Sequence, residues 1–156
     1  MTTQYMQKLE IAIEKYPKRS TPMTTAETTT IEEQFDIELP VAYKEYLTLT
    51  GKYSSMIKLV SWSEHLPENQ KRAKQLLKEY QLEKLIKKDF WVVADSEYSF
   101  FYIHLDEGDN PPVYRISPES YEEFPGDDTF GKIADTFEDW INKKIDNWEH
   151  EQQLLK

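Results

Sequence analysis

Residues 31–51, IEEQFDIELPVAYKEYLTLTG, decide the fold predicted for this chain. An acidic helical turn comes first, a short extended DIELP follows, and a second helix then runs to the glycine. Apolar residues recur three or four positions apart in both helical parts, as expected for one face of a helix. They are Ile31 and Phe35 in the first part, and Tyr43, Tyr46 and Leu47 in the second. The stretch therefore predicts two short helices joined by an extended link.

The residues around the link favour a fixed corner between the two helices. Pro40 has no N–H to donate and has a φ suited to a first helical turn, so it starts a helix well. Its ring also favours an extended conformation at Leu39. Gly51 can take the left-handed conformation that closes many helices. Upstream, Thr24 and Glu27 have the spacing of a capping box, which predicts where the first of the two helices begins.

The rest of the chain predicts further helices and a group of strands. Helical spacing of apolar residues predicts helices over residues 4–16, about 66–86, and from Asp135 onward, where Glu138 completes a second capping-box-like pattern. Apolar or β-branched runs predict strands at 56–62, 90–94, 98–105 and 113–116. Residues 117–131 read as a long acidic loop.

This order of elements predicts an α+β fold. Helices gather at the start of the chain and antiparallel strands come later, which is typical of that class. The last three strands form an antiparallel meander, and the strand at 56–62 adds a fourth. We expect one domain over residues 1–156, with an antiparallel sheet of about four or more strands. Helices from both ends of the chain pack against it, most simply on one side.

Composition excludes several classes of protein. The chain has 156 residues, 13% of them aromatic, which favours a packed globule over a disordered chain. It has no cysteine, so disulfides, thiolate nucleophiles and cysteine-based metal sites are excluded. Its first residues lack the apolar core of a signal peptide, and no apolar run approaches the length of a membrane span. We expect a soluble, cytoplasmic protein.

The acidic charge is concentrated in the second half. The formal net charge is −10. Residues 1–88 carry 14 Lys/Arg and 12 Asp/Glu, whereas residues 89–156 carry 5 Lys/Arg and 17 Asp/Glu. Such a field repels nucleic acid and anionic membranes, and it attracts basic partners. The alternative is an acidic surface that serves solubility alone. The lysines and arginines of residues 66–86 read as the solvated face of a surface helix.

Motifs for catalysis and for metal binding are absent from the sequence. The three histidines, His65, His104 and His150, lie far apart and lack metal-ligand spacing. His104 and Asp106 suggest a base–carboxylate pair, although a cross-strand polar contact is the simpler interpretation. DEGDN at 106–110 lacks the spacing of a calcium loop, and there is no phosphate-binding loop or nucleophile elbow. We therefore predict no catalytic residue, no metal and no cofactor.

A surface for binding another protein is the remaining candidate site. Acidic residues flank the predicted strands and line the long loop, where they alternate with Tyr121, Phe124 and Phe130. Charges of this kind steer a basic partner and aromatic rings anchor it. The alternative, which stays open, is a solvated loop whose rings turn into the core. The predicted partner-binding residues are Asp95, Glu97, Asp106, Glu107, Asp109, Glu122, Glu123, Asp127 and Asp128.

Residues 31–51, which predict the corner, also carry a resemblance to a known family. This stretch resembles the signature region of the SUKH superfamily. The resemblance rests on a helix that ends in Ile-Glu-Glu-x-Phe, followed by Leu-Pro, Tyr-Lys-x-Tyr-Leu and a closing glycine. That superfamily includes yeast cell-wall assembly regulators and many bacterial immunity proteins. The late segment Thr136-Phe137-Glu138-Asp139-Trp140-Ile141 resembles the family's final helix. The order of elements matches along most of the chain.

The resemblance implies a binding domain without catalytic activity. Bacterial members are typically immunity proteins of polymorphic toxin systems, which bind and block a cognate toxin, often a nuclease. It therefore implies an antitoxin that neutralises a basic protein toxin by direct binding, without nucleic-acid or membrane partners. The alternative is a regulatory or scaffold interaction domain without a toxin, as in the eukaryotic relatives.

Overall fold

The computed structural model describes residues 2–59 and 64–155 of the chain. Its helices are α1 Gln7–Lys15, α2 Thr25–Phe35, α3 Val41–Thr50, α4 His65–Glu79, α5 Pro118–Tyr121 and α6 Phe137–Leu154. Its strands are β1 Ser20–Thr21, β2 Tyr53–Ser54, β3 Phe90–Asp95, β4 Phe100–His104, β5 Val113–Ile116 and β6 Phe130–Ala134. The predicted α+β class and the presence of helices from both ends of the chain are confirmed.

The predicted capping box starts α2. The Thr24 hydroxyl accepts the backbone N–H of Glu27 at 3.1 Å, and the Glu27 carboxylate accepts the backbone N–H of Thr24 at 3.3 Å. Asp36 closes the helix in the left-handed conformation, with φ 52°. The Glu32 carboxylate then accepts the backbone N–H of Leu39 at 2.8 Å, which ties the link back to α2. Local hydrogen bonds therefore hold the corner.

The second half of the corner differs from expectation at its glycine. Pro40 was predicted to begin the second helix, but it is the extended residue just before α3, which begins at Val41. Gly51, however, has φ −64° and ψ −27°, so the predicted left-handed closure is wrong. A glycine is still needed there because a Cβ would lie 2.6 Å from the Cα of Leu47. Close approach to the preceding turn, rather than handedness, explains this glycine.

The main sheet is antiparallel, in the order β3-β4-β5-β6. The predicted three-stranded meander is confirmed, but the fourth strand is β6 and not the strand predicted at 56–62. Residues 56–59 are not extended into a strand, because the Ser54 hydroxyl accepts the N–H groups of Met56 and Ile57 and holds a turn. Residues 60–62 of that prediction lie outside the described part of the chain. A second, two-stranded sheet pairs β1 with β2.

The sheet is covered on both faces, so the expectation that helices lie on one side is wrong. Alternate residues of a strand point to opposite faces. Trp91 and Ile103 face a core that includes Phe137 of α6 and residues of α1 and α3. Val92 and Tyr102 face a second cluster, together with residues of α4. The aromatic residues are therefore divided between two apolar layers.

The final helix begins one residue later than its predicted start. The hydroxyl of Thr136, not Asp135, accepts the backbone N–H of Asp139 at 3.0 Å. Asn110 in the β4–β5 loop accepts the Glu138 N–H at 3.0 Å and donates to its carboxylate at 3.2 Å. These bonds tie the start of α6 to one end of the sheet.

Candidate protein-binding surface

The predicted partner-binding residues lie at two opposite ends of the sheet. Asp106, Glu107 and Asp109 lie in the loop after β4. The others lie at the other end, in the last residue of β3, the β3–β4 turn and the β5–β6 connection; they are Asp95, Glu97, Glu122, Glu123, Asp127 and Asp128. Because β4 spans five residues, its two ends lie about 13 Å apart. The fold thus divides the predicted set into a larger and a smaller group.

The larger group lies on what we term the acidic end, residues 95–99 and 117–129. Its two segments are joined by a 2.6 Å hydrogen bond between the hydroxyls of Ser99 and Ser117. The backbone N–H of Ser117 donates to Thr129 O at 2.7 Å, and the Thr129 hydroxyl donates to Phe124 O at 2.7 Å. Residues 117–131, predicted to be loop throughout, therefore contain α5, a hydrogen-bonded connection and the start of β6.

Most carboxylates of the acidic end face solvent. Those of exposed residues are Glu97, Glu119, Glu122, Glu123, Asp127 and Asp128. Asp128 lies 3.7 Å from Arg115, and Asp95 accepts a 3.4 Å hydrogen bond from Asn69. The side chain of Asp128 remains fully exposed. The electrostatic field of these like charges reaches roughly one Debye length into solvent, about 8 Å at physiological salt. The acidic end therefore attracts a cationic surface.

Aromatic side chains stand among these carboxylates. Tyr98 is 60% exposed and Phe124 is 64% exposed. Tyr121 instead packs edge-on against Phe130, with ring centroids 6.1 Å apart, and Phe130 joins the second apolar cluster. Some of the aromatic rings are therefore exposed among the carboxylates, and others pack toward the core. Tyr98 was missed as a site residue because it was assigned to a strand.

A small cleft lies between the acidic end and α4. It has a volume of about 60 Å³ and includes Leu76, Tyr98, Phe100 and Glu119 in its walls. The guanidinium of Arg72 sits 5.8 Å from the centre of the Phe100 ring. The cleft makes the acidic end concave and partly apolar at this point.

Tyr80, at the end of α4, adds a further ring to this region. Partial burial raises the pKa of the Tyr80 phenol, and the neighbouring Glu119 carboxylate raises it further through its charge and a hydrogen bond. The contact joins α4 to the 117–129 segment. Sequence reasoning missed it, because nothing local in the charged run from 66 to 86 indicates which end of the helix meets the acidic loop.

The smaller acidic group is engaged in contacts within the chain. The Tyr114 hydroxyl donates to both carboxylate oxygens of Glu107 at 3.1 Å. His104 Nε2 lies 3.8 Å from Glu107, and His104 Nδ1 lies 3.3 Å from Asp89 O. Asp106 instead lies 3.9 Å from Lys88. The suggested partnership of His104 with Asp106 is therefore wrong, because the turn brings Glu107 to the imidazole.

The pKa of Tyr114 reflects this environment. Burial raises the pKa of its phenol to about 12, with further contributions from the Glu107 hydrogen bond and charge. Within residues 2–59 and 64–155, no group of three or more His, Asp or Glu side chains is arranged to hold a metal ion. No helix in the same part of the chain is long and apolar enough to cross a membrane.

A cleft outside the acidic end lies beside the corner. Its volume is about 300 Å³, and it runs between the link after α2 and the start of β3. Its charged lining residues are Asp36, Lys74, Lys87, Lys88 and Asp89. Because both signs of charge are mixed along its walls, it does not favour one class of ligand.

The fold thus defines an α+β domain in which helices from both ends of the chain cover an antiparallel sheet. The sequence model of the SMI1 / KNR4 family (SUKH-1) matches residues 22–143. The chain belongs to this family, and the predicted SUKH membership is confirmed. The match includes the corner and the whole four-stranded sheet. No curated protein matches the sequence. Family membership is compatible with toxin immunity and with SMI1/KNR4-like roles.

Proposed function

We propose that this protein is an immunity protein that neutralises a cognate bacterial toxin by binding it directly. The observation that carries the proposal is the acidic end, where exposed carboxylates and the exposed rings of Tyr98 and Phe124 lie together on hydrogen-bonded segments. Membership of the SUKH family supports it, because bacterial members of that family typically act as immunity proteins.

The chemistry of this surface favours a basic toxin. A nuclease that binds nucleic acid carries lysines and arginines around its substrate site, and these match an acidic surface in charge. Carboxylates accelerate the encounter, whereas aromatic side chains slow dissociation by burying apolar area. A partner seated there blocks substrate access without any reaction by the immunity protein. We therefore propose a non-catalytic role, in the cytoplasm where such a toxin acts.

A second candidate is a regulatory interaction domain without a toxin. The match to the SMI1 / KNR4 family favours it, because that family also includes cell-wall assembly regulators. The same acidic end would then bind a basic segment of a regulated protein. The two candidates differ in their partner and not in the surface that they use.

Co-expression with a toxin tests the proposal. The probe is the toxin domain encoded by a gene adjacent to the gene for this chain, expressed in a bacterial host with and without the protein. We expect the host to survive and the two proteins to elute together on size-exclusion chromatography. Host death without a complex would rule out the immunity role. A complex formed with a non-toxic basic neighbour instead would favour the regulatory candidate.

A further inference from the structure

The two edges of the main sheet differ in how the backbone groups of the edge strand are hydrogen-bonded. At the β3 edge, the Gln70 side-chain amide donates to Phe90 O at 2.9 Å and accepts the Val92 N–H at 2.8 Å. Further along, the Asp95 N–H donates to Leu59 O at 3.3 Å. Gln70 is 2% exposed, so these bonds are shielded from water. One edge of the sheet is thus closed by a side chain and a loop.

The other edge is β6. Within the described residues, β6 pairs with β5 on one side and no strand pairs with it on the other. The orientation of its backbone follows from the opposite edge. In antiparallel sheets, successive residues direct their N–H and C=O groups alternately to one neighbour and to the other. Because Phe90 and Val92 point outward to Gln70, Trp91 points inward to its partner Ile103.

The same alternation continues across the sheet as far as Lys132, and the register of β6 shifts only after it, opposite Val113 and Tyr114. In β4, the backbone N–H and C=O of Tyr102 face Tyr114 of β5. In β5, the backbone groups of the next residue, Arg115, therefore face Gly131 of β6. Lys132, the next residue of β6, therefore directs both its N–H and its C=O away from the sheet. Its partner across the ladder is Tyr114.

The start of β6 supports this assignment independently. The Ser117 N–H donates to Thr129 O at 2.7 Å, which makes Ser117 and Thr129 a hydrogen-bonded pair. Phe130 follows, and its N–H turns away from β5 to Gly126 O at 2.9 Å. Gly131 then faces β5 and Lys132 faces outward, as deduced from the other edge.

The charges around β6 indicate what could pair with it. Asp127 and Asp128 lie before the strand and Asp135 lies after it. Lys132 itself lies 2.9 Å from Asp135, so its own charge is already matched. A lysine within an edge strand discourages unselective pairing with apolar strands. The same ion pair offsets Asp135, so the acidic charge that remains lies before the strand, at Asp127 and Asp128. The edge therefore favours an extended segment that is basic at the end beside these two residues and uncharged beyond it.

We propose that β6 binds an extended segment of the toxin as a fifth strand of the sheet. The segment carries Lys or Arg at the end that lies beside Asp127 and Asp128, next to a short uncharged run, and its backbone bonds to the N–H and C=O of Lys132. Addition of a strand to an exposed edge is a general mode of peptide recognition. This inference rests on the proposed function, since it assigns the partner segment to the toxin that the acidic end attracts.

A short peptide tests the edge without the toxin. The probe has lysines at one end and alternating valine and threonine beyond them, with both termini blocked. Binding is measured by NMR on the isotope-labelled protein, together with hydrogen exchange at the Lys132 amide. The test variant is Lys132→Pro, which removes the outward N–H and leaves the inward bonds of Gly131 in place. The control is Lys132→Ala, which keeps the N–H and removes the same side chain.

We expect the wild type and Lys132→Ala to bind the peptide and to slow exchange at residue 132. We expect Lys132→Pro to bind at least about tenfold more weakly, because backbone bonds to the edge are lost. No binding to the wild type, or equal binding by the proline variant, would overturn the edge proposal. If the wild type nevertheless binds the adjacent-gene toxin, the immunity role stands without the edge. If the peptide binds but that toxin does not, the immunity role fails.

Discussion

The side-chain oxygen of Gln70 accepts the backbone N–H of Val92 at 2.8 Å, and the same side chain donates to Phe90 O at 2.9 Å. One glutamine thus makes the two hydrogen bonds that a neighbouring strand would make. The contact fixes α4 against the sheet and satisfies backbone groups that would otherwise be buried without partners.

Replacing this glutamine should destabilise the protein. In Gln70→Ala, the buried N–H of Val92 and the part-buried C=O of Phe90 lose their partners. An unsatisfied buried group costs about 1–3 kcal/mol. We expect the free energy of unfolding, measured by urea denaturation, to fall by about 2–4 kcal/mol. The control is Gln75→Ala on the exposed face of α4, and equal stability losses in the two variants would contradict the assigned role.

The raised pKa of Tyr114 predicts a loss of stability at high pH. Burial raises the pKa of this phenol to about 12, whereas in the unfolded chain it is about 10. Between these values the folded state keeps a proton that the unfolded state has released, so stability falls as pH rises through this range. In Tyr114→Phe the fall should be smaller. It should not vanish, because burial also raises the pKa of Tyr43, Tyr46 and Tyr102.

The measurement is the urea midpoint at a series of alkaline pH values. Tyr98→Phe is the matched control, because Tyr98 is an exposed tyrosine in the turn before β4. It should follow the wild-type curve. A Tyr114→Phe curve as steep as that of the wild type would show that Glu107 and the surrounding burial do not hold the phenol neutral.

Charge reversal at the acidic end should slow association with the toxin. In a variant with Lys at positions 122, 123, 127 and 128, like charges replace the attraction that steers the encounter. We expect the association rate at low salt to fall by a factor of about ten or more, and its salt dependence to weaken. Stopped-flow mixing with the adjacent-gene toxin measures both.

The control for this prediction carries the same number of reversed charges elsewhere. Its positions are exposed acidic residues away from the acidic end, namely Glu14, Glu33, Glu38 and Glu151. If both variants slow association equally, net charge alone explains the effect. If neither does, the toxin binds another surface.

The exposed rings of the acidic end should act as anchors. Tyr98→Ala and Phe124→Ala should each weaken toxin binding by about 1–3 kcal/mol, because aromatic residues dominate the energetics of such interfaces. Their effect on stability should be within about 0.5 kcal/mol, since both side chains face solvent. Isothermal titration calorimetry measures the affinity. Ile11→Ala, at a side chain 65% exposed on α1, should leave it unchanged.

The candidate site was predictable in part. The composition of residues 117–131 predicted aromatic rings among exposed carboxylates, and Phe124 is exposed there. The division of the acidic residues between two ends of the sheet was not predictable, because it depends on strand direction and register. Tyr98 was assigned to a strand because its neighbours are aromatic, whereas it lies in the turn before β4.

The sequence by itself determined the corner and three of the four strands of the main sheet. The capping box at Thr24 and Glu27, the start of α3 next to Pro40 and the strand Val113–Ile116 all depend on interactions between near neighbours. Only the tertiary structure decided the place of β6 and the burial of Gln70. In β6, a glycine and a lysine interrupt the apolar pattern that would have predicted a strand. The place of β6 and the burial of Gln70 both depend on backbone groups supplied by segments distant in the chain, and local propensity does not predict which distant segments these are.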